Sequence, residues 1–238
     1  MKNKLIIIIS SLLLAISSYT VSNAASINIG VTGALATIDA SGNEVEASDT
    51  DDTSTTTANV ENANIPIGSI FVEYESDFWG LTLGAEHVPA TADVSDSVKR
   101  RTDADTSVTD DDDQTSNSRD FKANAEVENF NKVYLELPIM NNIFVRAGIA
   151  QIDVNTTENL ASNSGSYGNA TLDGINFGAG IKGNMSWNDN VAYKFYLEKT
   201  TFDTLSLTST GNSVATETNT ITADLDVASV KFGLGYKF

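Results

Sequence analysis

Val230-Lys231-Phe232-Gly233-Leu234-Gly235-Tyr236-Lys237-Phe238 ends the chain, and its alternation is strict. Val230, Phe232, Leu234, Tyr236 and Phe238 share one face, while Lys231, Gly233, Gly235 and Lys237 share the other. A period of two is that of a β-strand, because successive side chains point to opposite sides of a sheet.

Seven further runs upstream repeat the pattern. The first sets Ile27, Ile29, Val31, Gly33 and Leu35 against Asn28, Gly30, Thr32 and Ala34; the second sets Ile70, Val72 and Tyr74 against Phe71, Glu73 and Glu75. The third places Trp79, Leu81, Leu83 and Ala85 opposite Thr82, Gly84 and Glu86. In the fourth, Val127, Val133, Leu135 and Leu137 are read as one face, with Glu126, Glu128, Lys132, Tyr134 and Glu136 on the other. The fifth and sixth turn Phe144, Arg146 and Gly148, then Asn176, Gly178, Gly180 and Lys182, away from their aliphatic faces. The seventh does the same with Lys194, Tyr196 and Glu198.

One face is continuously apolar and the other carries glycines and charges. That division suits strands with lipid outside and a narrow lumen inside. A soluble barrel would instead gather its larger apolar side chains at the centre. The connections alternate as well. Short links lie near Ser76 to Phe78, Pro138 to Asn142 and Asn184 to Asn190, and long polar stretches lie at roughly 39–64, 89–120, 153–172 and 203–224. Transmembrane barrels keep short turns on the periplasmic side and long loops outside. The reading is therefore all-β: a single eight-stranded antiparallel up-and-down transmembrane β-barrel spanning residues 25–238.

The N-terminus supplies an address. Lys2 and Lys4 precede an apolar block from Leu5 to Ile16, followed by Ser22-Asn23-Ala24, the layout of a signal peptide cleaved after residue 24. The block is too short to span a bilayer as a helix, which needs about 20 residues. Cleavage leaves 12 basic against 32 acidic residues, a net charge of −20. Such a chain makes a poor partner for nucleic acid. No cysteine is available for a disulfide.

The C-terminal run resembles the terminal strand signature of bacterial outer-membrane proteins, and the whole pattern is similar to the small eight-stranded barrels of the OmpA membrane domain, OmpX and opacity-protein type. The resemblance implies an outer-membrane location, lipid and lipopolysaccharide as surroundings, and recognition of Phe232, Leu234, Tyr236 and Phe238 by the barrel-assembly machinery. It implies no catalytic residue and names no loop ligand.

Sorting inward charges by depth selects a lumen ion-pair network of Glu73, Glu75, Glu136, Arg146, Lys182 and Lys194, with acids on one half of the wall and bases on the other. An eight-stranded barrel is only just wide enough for side chains to fill it, so these groups should meet, with Arg146 as the bidentate hub. Tyr74, Trp79, Trp187 and Tyr193 fall at the short-turn ends, where an aromatic girdle belongs.

Half of the 32 acids lie in the first two long stretches, including Asp49 to Asp52 and Asp110 to Asp113. A calcium loop would need glycine at its sixth position and glutamate at its twelfth. Ser54 or Thr115 and Val60 or Phe121 stand there instead, so no metal site is read. Lys99-Arg100-Arg101 could touch lipopolysaccharide phosphates or pair with neighbouring acids. Catalysis has little to work with. His87 is the only histidine and no G-x-S-x-G motif occurs. The expected function is a closed, non-enzymatic scaffold presenting acidic loops, without cofactor; a narrow porin-like channel is the alternative, and an outer-membrane enzyme a distant third.

Overall fold

Runs rich in β-branched and aromatic residues pack well on a pleated surface, and each long run becomes a strand. The computed structural model describes residues 26–46, 54–77, 79–94, 99–105, 117–159, 166–210 and 219–238. The strands are β1 (Ser26–Glu46), β2 (Ser54–Glu75), β3 (Thr82–Val88), β4 (Ala92–Asp93), β5 (Lys99–Asp105), β6 (Asn117–Met140), β7 (Ile143–Asn159), β8 (Ala170–Met185), β9 (Asn188–Phe202), β10 (Leu205–Thr208) and β11 (Thr220–Lys237).

Eight wall positions result. β3, β4 and β5 follow one another along β6, and β10 continues the line of β9 beside β11. Every pairing is antiparallel, and β1 pairs with both β2 and β11, so the sheet closes on itself. Following the register once around from Ile29 through Val72, Ala85, Val133, Ile149, Ile175, Thr201 and Asp226 returns to Asp39, ten residues further up β1. That stagger tilts the strands and brings side chains from different sequence depths to one level of the interior.

The apolar faces point outward. Ile70 is 56% exposed and Phe177 59%, and Val31, Val145, Leu197 and Leu234 are exposed with them. On the opposite faces Lys132 and Glu136 are fully buried. Among the described residues no helix is long and apolar enough to cross a membrane.

Two sequence readings need correction. The long polar stretches are shorter as connections than composition suggests: β1 continues to Glu46, β2 already begins at Ser54, β6 begins at Asn117, and β7 runs to Asn159. Ser, Thr and Asn in these extensions look like loop, but the barrel wall supplies their ladder partners. Val127 does not share the outward face of Val133; it is buried inside. The register shifts between Glu128 and Asn131, and Asn129 takes φ +53°, so a bulge reverses the parity at Val127. A second shift between Ala36 and Ile38 accompanies Asn64 at φ +61° on β2. Residues 1–24, Phe78 and the acidic runs at 49–52 and 110–113 lie outside the described residues.

Candidate functional site

The inward faces bring their charges together in two tiers joined by one arginine. In the tier nearer the short turns, Lys194 on β9 reaches between two acids, pairing with Glu73 on β2 and lying 2.7 Å from Glu136 Oε2 on β6. In the next tier, Glu86 on β3 and Glu198 on β9 face Lys132 on β6 and Lys231 on β11. Lys231 Nζ is 2.6 Å from a carboxylate oxygen of each acid. Lys132 Nζ is 2.9 Å from Glu86 Oε2 and also pairs with Glu198.

Arg146 on β7 links the tiers. Its Nη2 lies 2.5 Å from Glu136 Oε1, and its Nη1 lies 3.5 Å from Glu86 Oε2 and 3.4 Å from Glu198 Oε2. The rings of Tyr134 and Tyr196 flank the guanidinium, with centroids 3.7 and 4.3 Å away. The planar fork can serve several carboxylates while stacking on aromatic faces, which an ammonium could not do. Glycines make the room: a Cβ at Gly84 or Gly148 would run into Tyr134, and one at Gly180 into Tyr196.

Neutral donors complete the lower tier. Tyr134 donates its hydroxyl to Glu73 Oε1 at 2.8 Å, and Asn28 Nδ2 donates to Glu73 Oε2 at 3.0 Å. Ser69 Oγ donates to Glu86 Oε1 at 2.6 Å in the upper tier. Among the described residues only Asn28 Oδ1 and Asn176 Oδ1 are buried side-chain polar atoms without a hydrogen-bond partner.

Of the residues selected from the sequence, Glu73, Glu136, Arg146 and Lys194 meet in this network. Lys182 stands at its edge, with Nζ 3.6 Å from Glu136 Oε2 and donating to Thr82 Oγ1 at 3.0 Å. Glu75 is not part of it; it pairs with Lys237 at 3.0 Å on the rim. Glu86, Lys132, Glu198 and Lys231 join the network as well; all carry the inward parity of their strands, but they lie farther from the short-turn ends than the depth criterion reaches. The expected division into an acidic and a basic half does not hold either: Glu136 and Arg146 are register partners on adjacent strands, Lys132 shares β6 with Glu136, and Glu198 shares β9 with Lys194.

Beyond the upper tier, toward the long connections, the lumen changes character. Ile38, Val88, Val127, Phe130, Ile152, Val154, Leu172, Phe202, Leu225 and Val227 form one buried apolar cluster. Phe130 and Phe202 meet edge to face with centroids 5.7 Å apart. At the opposite end of the barrel Trp79 and Trp187 stand 78% and 73% exposed on short turns, with Tyr74 and Tyr193 half-buried on the adjoining strands. Phe232, Leu234 and Tyr236 face outward on β11, and Tyr236 meets Phe238 edge to face at 5.0 Å.

With closure, stagger and a filled axis in view, the architecture is settled. The fold is the small eight-stranded up-and-down barrel. No protein-family model and no curated protein matches the chain. Similar solved structures include Ail, the attachment invasion locus protein of Yersinia pestis, at 12% identity over 90% of this chain and 97% of that one, with a TM-score of 0.37. The outer membrane protein OprG from Pseudomonas aeruginosa is 14% identical, covering 90% and 96%, with a TM-score of 0.45. The outer membrane protease OmpT from Escherichia coli is 7% identical, covering 93% and 100%, with a TM-score of 0.47. At these identities the likeness lies in the path of the chain.

Proposed function

We propose that this chain is an integral outer-membrane protein acting as a closed, non-catalytic scaffold that holds its long connections at the cell surface. The apolar belt facing outward from β1, β2, β6, β7, β8, β9 and β11 supports the membrane setting, because such a surface in water would be an aggregation hazard. The single observation that carries the closed state is the two-part filling of the lumen, with ion pairs below and the apolar cluster above. A hydrated path would have to replace buried ion pairs with water and then wet an apolar constriction.

The surroundings follow from that setting. Lipid and lipopolysaccharide contact the outward belt, and the barrel-assembly machinery reads Phe232, Leu234, Tyr236 and Phe238 on the last strand. Catalysis is not part of this reading: His87 Nδ1 lies 2.8 Å from Asn131 Oδ1, a side-chain amide that cannot serve as a nucleophile. Lys99, Arg100 and Arg101 lie on β5 in the outer extension of the wall, a level at which lipopolysaccharide phosphates would be met. Purified protein in planar bilayers tests the closed state. The expected record is a flat baseline, and steady large conductance would overturn the reading.

A further inference from the structure

Above the apolar belt the outward face turns polar, and on one side of the barrel it is hollowed. On β1 and β11 the continuous apolar run ends at Leu35 opposite Val230; Thr37, Asp39 and Ser41 follow on one strand, and Ala228, Asp226 and Asp224 on the other. Ser41 opposite Asp224 therefore stands six residues past the belt. At about 3.3 Å per residue and a strand tilt of roughly 40°, that is about 15 Å above the hydrocarbon. The polar interface of a bilayer is only about 5–8 Å deep on each side. In a leaflet of lipopolysaccharide the greater height holds sugar.

An open groove of about 270 Å³ lies at that level, where β1 and β11 pair, with Thr57 of β2 on one side and Thr204, between β9 and β10, on the other. Gly42 and Ala223, opposite each other in the ladder, lie at its floor, and Ser41, Asn43, Thr222 and Asp224 complete its lining. Two of these side chains are held in place by hydroxyls. Thr57 Oγ1 donates to Asn43 Oδ1 at 2.7 Å, so the amide presents its Nδ2 protons. Thr204 Oγ1 donates to Asp224 Oδ1 at 2.7 Å, and Oδ2 is the carboxylate's second acceptor. Asn43 stands opposite Thr222, the outward residue next to Asp224 on β11. Donor and acceptor therefore sit on a diagonal between adjacent strands, about 7–8 Å apart.

A fixed donor and a fixed acceptor at that spacing match adjacent hydroxyls of a sugar ring, each of which both donates and accepts. Charge narrows the choice further. Asp224 lines the groove, and Asp226 and Asp39 lie below it on the same face, where Lys199 pairs with Asp226. A phosphate brought there meets like charge, whereas a neutral polyol does not. We propose that this groove binds a neutral sugar residue of lipopolysaccharide in the membrane that holds the barrel. Asn43 donates to one ring hydroxyl, Asp224 accepts from its neighbour, and the hydroxyls of Ser41 and Thr222 complete the contact. The inference rests on the membrane reading proposed above and names the part of lipopolysaccharide that the barrel recognises.

The chain has no cysteine, so Ser206→Cys, exposed opposite Thr222 beside the groove, carries an environment-sensitive fluorophore at a single place. The labelled barrel is reconstituted in phosphatidylcholine vesicles and titrated with core oligosaccharide freed of lipid A and of phosphate. A saturable change in emission is expected, with affinity about tenfold weaker in Asn43→Ala and in Asp224→Ala, the loss of one hydrogen bond to a fixed or charged group. Thr204→Val keeps the carboxylate but releases it; it should weaken binding by a smaller factor, and it stands in should Asp224→Ala fail to fold. In vesicles prepared with lipopolysaccharide, a complete core should change the emission without added sugar, and a core cut back to its innermost acidic residues should not. No change with the oligosaccharide, a change that the variants leave intact, or an equal change from both cores overturns the sugar site alone. A change given by lipid A and not by the oligosaccharide overturns it in favour of a headgroup contact. Barrel that stays in the aqueous fraction when the vesicles are floated on a density gradient overturns the membrane reading itself, and with it the assignment of the sugar to lipopolysaccharide.

Discussion

Near its short turns the lumen is filled by four carboxylates, those of Glu73, Glu86, Glu136 and Glu198, set among Lys132, Arg146, Lys194 and Lys231; near its long connections it is filled by aliphatic and aromatic side chains. The walls around the two regions are built from the same strands, yet the regions hold shape for different reasons. Each charge below is tolerated because a specific opposite charge stands within reach, so the lower region is defined by pairings. Side chains above are held by contact and by exclusion of water, so the upper region is defined by volume. The ladder is complete around the charged region, and among the described residues the pairing of β2 with β3 runs from Glu75 and Thr82 to Ile70 and His87.

The largest effect should come from the residue that joins the tiers. Arg146→Leu leaves Glu136 short of a partner and removes the contacts to Glu86 and Glu198. Breaking a buried pair from one side costs about 3–5 kcal/mol, and urea unfolding in detergent or lipid should show a loss of that size. Arg146→Lys should recover little of it, since a single ammonium can neither span both tiers nor stack between two tyrosine rings. If Arg146→Leu unfolds at the same urea concentration as the parent, the lower region is held by packing and the contrast between the two regions disappears.

Ile152→Ala probes the upper region by removing volume without touching charge. Ile152 is buried in the apolar cluster and borders a void of about 30 Å³ that Ile65, Ile67 and Phe130 also line. Truncations of this kind cost about 2–5 kcal/mol, depending on how far the surroundings collapse. The void beside it gives the surroundings room to collapse, so the loss should fall at the low end of that range. A cost equal to that of Arg146→Leu would mean that the upper region yields no more than the charged one. Conductance should stay absent in both variants, because each leaves the other region's filling in place.

Much of the lower region was legible in the sequence, and the reasons are local. From Ile27 to Leu35, Ile143 to Ile149 and Val230 to Phe238 the period of two is unbroken, so the face of each side chain follows from parity. What parity does not give is the level at which two strands meet. That depends on the ten-residue stagger, a property of the closed sheet, and for want of it Glu86, Lys132, Glu198 and Lys231 were passed over. The upper region was harder for two further reasons. A bulge at Asn129 swaps inside for outside on β6, turning Val127 inward, and the register of β2 shifts beside Asn64. Its strands also intersperse their apolar residues with Ser, Thr and Asn, which by composition alone read as loop. The two asparagines at positive φ were a usable clue, since asparagine tolerates that conformation better than most residues.

The smallest effect should come from an ion pair that copies the chemistry of the lower region without its setting. Lys199 Nζ is 2.7 Å from Asp226 Oδ2 on the outside of the wall, as close as several pairs within the lumen, but the lysine side chain is 60% exposed. Water already solvates both groups and salt screens what remains, so pairs of this kind often contribute nothing measurable. Lys199→Ala should therefore leave the unfolding midpoint within experimental scatter of the parent, in low salt and in high. A clear loss would mean that proximity alone sets the worth of a charge pair in this barrel, and that the burial of the Arg146 network adds nothing to it. If the midpoint does not move while Arg146→Leu collapses it, then burial separates the two: inside the wall a missing partner leaves a charge with nowhere to go, and outside it water is the replacement.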